Sequence, residues 1–367
     1  MSNELLYQIA LTLVPHIGDV HAKALVQHFG SAEAIFKASK KDLIALDGIG
    51  VVRATELKKF NDFHSAEKEI EFVQKYSIKT LFLTDSDYPQ RLLNCYDSPP
   101  LLYYKGNADL NASKIMAVVG TRTNDDYGKS LCEKLIEELA LEGITVISGL
   151  AFGIDSIAHK ACIKQNVKTI GVLAHGLDRV YPSQNASLAK QMTKDGGLLT
   201  EFKSKTNPDR QNFPARNRIV AGLSDCVVVI QTGIKGGSLI TAELGNGYNK
   251  DVYAFPGRIN DSKSEGCNYL IKTNKAGLLT SASDLLLDMG WVQPTKVSRK
   301  KQRELFIELT ADEKIIIEVL KESNSIHIDE LYFKSKLSSS SIAQALLMLE
   351  MQGIVDSLPG KIYKLGD

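Results

Sequence analysis

From Lys114 onward, short uninterrupted apolar runs alternate with amphipathic stretches of helical length, and this pattern constrains the fold more than any other feature. The runs are Ile115–Val119, Thr145–Ser148, Thr169–Leu173, Leu198–Thr200, Cys226–Ile230 and Val252–Ala254. Helices are expected between them at Tyr127–Glu142, Ile154–Gln165, Asn185–Lys194, Ala215–Leu223 and Leu239–Tyr248. A strand that is apolar at every position must be covered on both faces, and helices between such strands allow parallel pairing. The sequence therefore predicts an α/β fold with a Rossmann-like parallel sheet core over residues 113–291.

The flanking segments read differently. In residues 1–62, Ile17-Gly18-x-Val20-x-Ala22-x-x-Leu25 recurs as Ile49-Gly50-x-Val52-x-Ala54-x-x-Leu57. Each copy sets a glycine in a turn before apolar residues at helical spacing, as in a SAM-like or helix-hairpin-helix module. Asp19 and Asp47 lie near the glycines with few basic residues around them, so packing is the favoured role over DNA binding. Residues 63–112 read as a connector into the core, with a helix, a short strand (Thr80–Leu83) and a proline-rich loop. Residues 292–307 form a basic linker whose first part, VQPTKVSRKKQR, has five basic residues and no acidic one. Residues 308–367 read as three helices and two strands around Leu358-Pro359-Gly360, the pattern of a winged helix. Its third helix carries no Arg or Lys from Ser338 to Pro359, which disfavours duplex reading and favours docking of a partner.

A net charge of +1 provides no global basic field, so a nucleic-acid site must be a local patch. The five cysteines are widely spaced without a CxxC pair, and the seven histidines show no metal-ligand spacing, so no metal or cofactor is expected. The N-terminus has no basic region leading into an apolar core, and no apolar stretch approaches bilayer length. A cytoplasmic location without membrane association is expected.

In an open parallel sheet, ligands lie beyond the carboxyl ends of the strands. Gly120, Thr121 and Arg122 follow the first strand of the core, and Ser148 and Gly149 end the second. After the fourth comes a basic cluster with one aromatic, including Arg210, Phe213, Arg216 and Asn217; after the fifth come Gly236, Gly237 and Ser238. None of these loops matches a dinucleotide or Walker A fingerprint. Glycine turns with arginines and an aromatic instead fit single-stranded DNA, held by cationic backbone contacts and base stacking. These twelve residues are the candidate DNA-binding set, and no catalytic residue is assigned.

The motifs Val118-Val119-Gly120-Thr121-Arg122, Ser148-Gly149-Leu150-Ala151-x-Gly153-Ile154-Asp155-x-x-Ala158-His159 and Gly176-Leu177-Asp178-x-x-Tyr181-Pro182-x-x-Asn185 resemble the DprA/Smf family of DNA-processing proteins. Phe213-Pro214-x-Arg216-Asn217-Arg218-Ile219, Gly237-Ser238-Leu239-Ile240-Thr241-Ala242 and Phe255-Pro256-Gly257 continue the resemblance, which covers roughly Asp87 to Ala276. The resemblance implies a protein that protects incoming single-stranded DNA in natural transformation and recombination. It further implies loading of RecA recombinase, indirect displacement of single-strand-binding protein, and a homodimer formed through the Rossmann-like domain. By motif match Arg122 contacts phosphate and Phe213 stacks on a base. Arg210 stands where the family often has lysine, and His175 where it commonly has glycine.

The rival reading is an enzyme of the nucleotide phosphoribohydrolase type, whose P-G-G-x-G-T-x-x-E site corresponds to Lys235 through Glu243. Glu243 is kept, but Leu239-Ile240 replaces the Gly-Thr pair that shapes a phosphate turn. No second acid–base partner is evident for Glu243. Asp155 and His159 read as structural, on a helix N-terminus and within a helix respectively.

Overall fold

The computed structural model describes residues 3–291 and 309–366, apart from residues 322, 324 and 359. The expected basic linker, 292–307, lies outside the described residues. The chain divides into two compact units, Met1–Val292 and Gln293–Asp367.

The first unit begins with the helices α1 (Asn3–Leu13), α2 (Asp19–Phe29), α3 (Ala32–Lys37), α4 (Lys40–Ala45), α5 (Gly50–Lys59) and α6 (Phe63–Lys75). Next come β1 (Lys79–Phe82), α7 (Gln90–Leu93), β2 (Leu101–Gly106), β3 (Ile115–Val119), α8 (Asp126–Glu138), β4 (Thr145–Ser148), α9 (Ile154–Lys164) and β5 (Thr169–Val172). The chain continues through α10 (Ala186–Asp195), β6 (Gly197–Thr200), α11 (Asn212–Leu223), β7 (Cys226–Val229), α12 (Gly237–Gly247), β8 (Asp251–Ala254), α13 (Glu265–Lys272), β9 (Gly277–Leu278) and α14 (Ala282–Asp288).

One sheet carries all nine of these strands in the order β1-β2-β6-β5-β4-β3-β7-β8-β9. Every pairing from β6 to β9 is parallel, whereas β2 joins β6, and β1 joins β2, antiparallel. Residues 63–112 thus do more than connect: they add two strands to the sheet edge. The sequence reading found β1 but took the Pro99-Pro100 segment as loop, although the apolar run Leu101 to Tyr104 follows it directly.

The strand period of two divides each apolar run between two cores. Ile115, Ala117 and Val119 face a cluster with Ile219, Val220, Ala242 and Leu270, which continues into the N-terminal helices through Ile9, Leu25 and Leu57. Met116 and Val118 face a second cluster with Cys132, Leu135, Ile154, Ala158 and Leu285. Helices α11, α12 and α13 therefore lie on one face, and α8, α9 and α14 on the other. All five cysteines are buried free thiols. From β3 the chain winds outward to β6, then returns through α11 to β7 on the other side of β3. The crevice beyond β3 and β7 is the switch point where open α/β sheets bind ligands.

The second unit contains α15 (Ala311–Lys321), β10 (Ile326–His327), α16 (Ile328–Ser335), α17 (Ser339–Met351), β11 (Val355–Leu358) and β12 (Ile362–Leu365). Its sheet has the order β10-β12-β11 and its core includes Ile316, Leu331, Ile342 and Leu349. This is the expected winged helix. Among the described residues no helix is long and apolar enough to cross a membrane.

Candidate nucleic-acid interface

A cleft of about 730 Å³ opens at the switch point. Of the twelve sequence-selected residues, Gly120, Thr121, Arg122, Gly149, Arg210, Phe213, Arg216, Asn217, Gly236, Gly237 and Ser238 line it. The twelfth, Ser148, does not: it is fully buried, and its hydroxyl donates to the Val118 carbonyl at 2.6 Å, tying β4 to β3 beneath the cleft floor.

Two glycines set how closely the walls approach. Gly153 precedes α9 at φ +76°, and a Cβ there would lie 2.2 Å from the Thr121 carbonyl oxygen. Only glycine lets the start of α9 pack on the turn after β3, where Ile154 N–H donates to that same carbonyl. At Gly149 a Cβ would lie 2.4 Å from the Arg216 guanidinium.

The arginines divide into two roles. Helix α11 begins at Asn212, not at Ala215 as expected, because Pro214 falls within its first turn, where a missing N–H removes no helical hydrogen bond. The cluster read as a loop is therefore partly helical, and its side chains take opposite directions. Arg216 turns inward and is 4 % exposed; its guanidinium donates to the carbonyls of Gly149 and Val172, joining the ends of β4 and β5. Burial, and then the neighbouring Arg122 charge, lower its pKa to about 10 against the pull of Asp155, so it stays charged at neutral pH. Burial also raises the pKa of Asp155, which accepts the Ala151 N–H at 3.3 Å and holds the turn before α9. Arg216 lines the cleft as part of its wall, with Nη1 held by the two carbonyls and Nε donating to Asn217 Oδ1 at 3.1 Å. Arg122 and Arg210, by contrast, are exposed at the cleft.

Phe213, half-buried, lines the cleft. The Arg122 guanidinium carbon lies 5.1 Å from its ring centroid and that of Arg216 lies 5.9 Å away. Tyr181, 48 % exposed, meets it edge-on with centroids 6.2 Å apart. Site selection from sequence missed Tyr181, although it stands in the motif Gly176-Leu177-Asp178-x-x-Tyr181-Pro182. It is held by His175, which is buried: Nε2 accepts the Tyr181 N–H at 3.2 Å and Nδ1 lies 2.9 Å from the Gly176 carbonyl. These partners require a neutral ring protonated on Nδ1, and burial lowers the pKa in agreement. On the opposite wall, Gly236, Gly237 and Ser238 bring the N-terminus of α12 to the cleft, where backbone N–H groups favour anions. The Ser238 hydroxyl is engaged with Thr232 Oγ1 at 2.7 Å.

The profile of the family described as DNA recombination-mediator protein A matches residues 79–290. That span is more than half of the chain. The chain belongs to the DprA/Smf family. The DprA winged helix domain matches residues 303–361 and a helix-hairpin-helix motif matches 8–70. Protein Smf of Synechocystis is 33 % identical over 99 % of both chains. DNA processing protein DprA of Streptococcus pneumoniae is 42 % identical over 56 % of this chain and 72 % of its own. The X-ray structure of the Streptococcus pneumoniae DprA superposes with a TM-score of 0.67 at 34 % identity, covering 78 % of this chain and 98 % of that one. The structure of DNA processing protein A from Helicobacter pylori, described by its single-stranded DNA binding mode, superposes at 0.53 with 30 % identity, covering 58 % and 96 %.

Within this DprA/Smf chain, Glu243 does not line the cleft. It lies on the outer side of α12, 57 % exposed, and pairs with Lys275 at 3.2 Å. The residue on which the phosphoribohydrolase reading depends is thus directed away from the candidate site. His159 is buried with Nδ1 2.6 Å from Thr169 Oγ1, a core position as expected.

Proposed function

We propose that this chain binds single-stranded DNA in the cleft, without strict sequence preference and without catalysing a reaction on it. The observation that carries the reading is the exposed Arg122 guanidinium over the Phe213 ring, with Tyr181 edge-on beside it. A base stacked on Phe213 brings its phosphates within reach of Arg122 and Arg210, and the N-terminal amides of α12 offer a further anion contact. The single-stranded DNA binding mode named for the Helicobacter pylori relative supports the same reading. Thr121, Asn217, Gly236 and Gly237 complete the contact surface; Ser148, Gly149, Arg216 and Ser238 shape it.

The wider role proposed is that of the family resemblance: protection of incoming single strands, handover to RecA recombinase with indirect displacement of single-strand-binding protein, and a homodimer through the core of residues 113–291. In this scheme residues 1–62 pack, 63–112 extend the core, 292–307 tether, and 308–367 dock a partner. The test is fluorescence anisotropy with labelled oligo-dT and a duplex of equal length. Preference for the single strand is expected; equal or stronger duplex binding would overturn the proposal.

A further inference from the structure

Between β6 and α11, residues 201–211 carry Arg210 into the cleft and deliver Phe213 on the first turn of α11. Two carboxylates of the N-terminal helices hold this segment from outside the cleft. Glu69, on α6, is 3 % exposed and accepts both the Ser204 N–H, at 2.8 Å, and the Ser204 hydroxyl. Asp19, at the start of α2, lies 2.8 Å from Arg218 Nη2 on α11. Arg218 is itself buried, with Glu201 on the same nitrogen and the Asp97 carbonyl on the other. Lys23 of α2 fastens the helical module beside this cluster, donating to the carbonyls of Leu93 and Cys95 at 2.6 Å each.

In sequence these two ties bracket the cleft residues: Ser204 precedes Arg210, and Arg218 follows Phe213. The inner side of the segment has its own ties, from Lys205 N–H to Asp178 at 2.8 Å and from Arg179 to Asn207 at 2.7 Å. Helices α2 and α6 supply the outer half. A buried carboxylate that accepts two bonds from one serine is costly to leave unpaired, so the contact fixes the loop as firmly as it fixes the helix.

We infer that the N-terminal helices α2 and α6 position the Arg210–Phe213 segment for single-strand binding, through Asp19 on Arg218 and Glu69 on Ser204. This rests on the proposed function of the cleft. Glu69 and Asp19 are positioning residues: neither lines the cleft.

The test uses full-length Glu69→Ala, Asp19→Ala and Ser204→Ala, with Glu69→Gln as the variant that keeps an acceptor for the Ser204 N–H. Loss of the Glu69 tie is expected to weaken oligo-dT binding about tenfold (about 1.4 kcal/mol). The salt slope is expected to stay at the wild-type value, because no phosphate contact is removed, and Glu69→Gln is expected to recover most of the affinity. Amide hydrogen exchange of residues 203–212 is measured in parallel without DNA, and faster exchange is expected in the Ala variants. Wild-type affinity with wild-type exchange in folded variants would overturn the inference. If the wild-type chain itself fails to bind oligo-dT, the functional proposal falls, and the exchange comparison alone decides whether these helices order the segment. If Glu69→Ala does not fold, Ser204→Ala removes the hydroxyl bond from the other side and decides by the same two readouts.

Discussion

Replacing Arg216 tests whether this arginine serves the ligand or the fold. Its guanidinium donates to two buried carbonyls, those of Gly149 and Val172, at the ends of adjacent strands. A hydrogen bond from a charged donor contributes roughly 1.5–3 kcal/mol, and each carbonyl stripped of its partner costs a further 1–3 kcal/mol unless water reaches it. Arg216→Met fills similar volume and removes the desolvated charge, which offsets part of that loss. A net destabilisation of about 3 kcal/mol follows, and for a unit of this size that is a fall in Tm of roughly 6–12 °C. Arg216→Lys keeps the charge but not the planar fork, so an intermediate loss is expected. The assay is thermal unfolding by circular dichroism beside Arg122→Ala, whose exposed side chain predicts an unchanged Tm. If Arg216→Met melted with the wild type while losing DNA affinity, the guanidinium would be serving the ligand and the reasoning here would be wrong.

Arg122→Ala is expected to weaken oligo-dT binding and lower the salt slope by roughly 0.7 per lost contact; an unchanged slope in the anisotropy series would exclude a phosphate role. Phe213→Ala is expected to cost about 1–3 kcal/mol of binding, and equal wild-type affinity for an abasic and a normal oligonucleotide would argue against stacking. His159 carries a folded-state pKa lowered to about 3, by burial first and then by Arg216. A depressed histidine pKa means that the unfolded chain takes up the proton first as pH falls, so this contribution is full above about 6.5 and is lost from there down towards 3. Between pH 7 and 5 the loss is about 2 kcal/mol; urea unfolding should show it in the wild type and not in His159→Phe, and identical pH profiles would refute it.

Strands β3 to β8 were legible because each is a short, largely apolar run bounded by a helix; β9, only two residues long, was not. β2 was not, since Pro99-Pro100 reads as loop and an antiparallel edge strand needs a partner, β6, that lies far along the chain. The cleft was legible in outline, because strand order fixes where loops converge: eleven of the twelve chosen residues line it. What the sequence did not disclose was the direction of the side chains. Arg216 and Arg210 look alike in a basic cluster; they separate only once Pro214 is placed inside the first turn of α11, which turns one inward and leaves the other on the loop. Tyr181 was missed because its position depends on the buried His175 ring, a contact that no local pattern announces. Asp19 lies in the segment expected to pack and Glu69 in the one expected to connect, and neither could be paired from sequence because their partners, Arg218 and Ser204, are more than a hundred residues away.

The central claim is that a single strand lies across Phe213 and Tyr181. Photocrosslinking with an oligo-dT carrying 5-iodouracil, followed by peptide mass mapping, tests it most directly. The account predicts adducts on Phe213 or Tyr181, lost when unlabelled single strand competes. Adducts confined to residues 309–366 or to the N-terminal helices would contradict it and move the DNA site off the sheet.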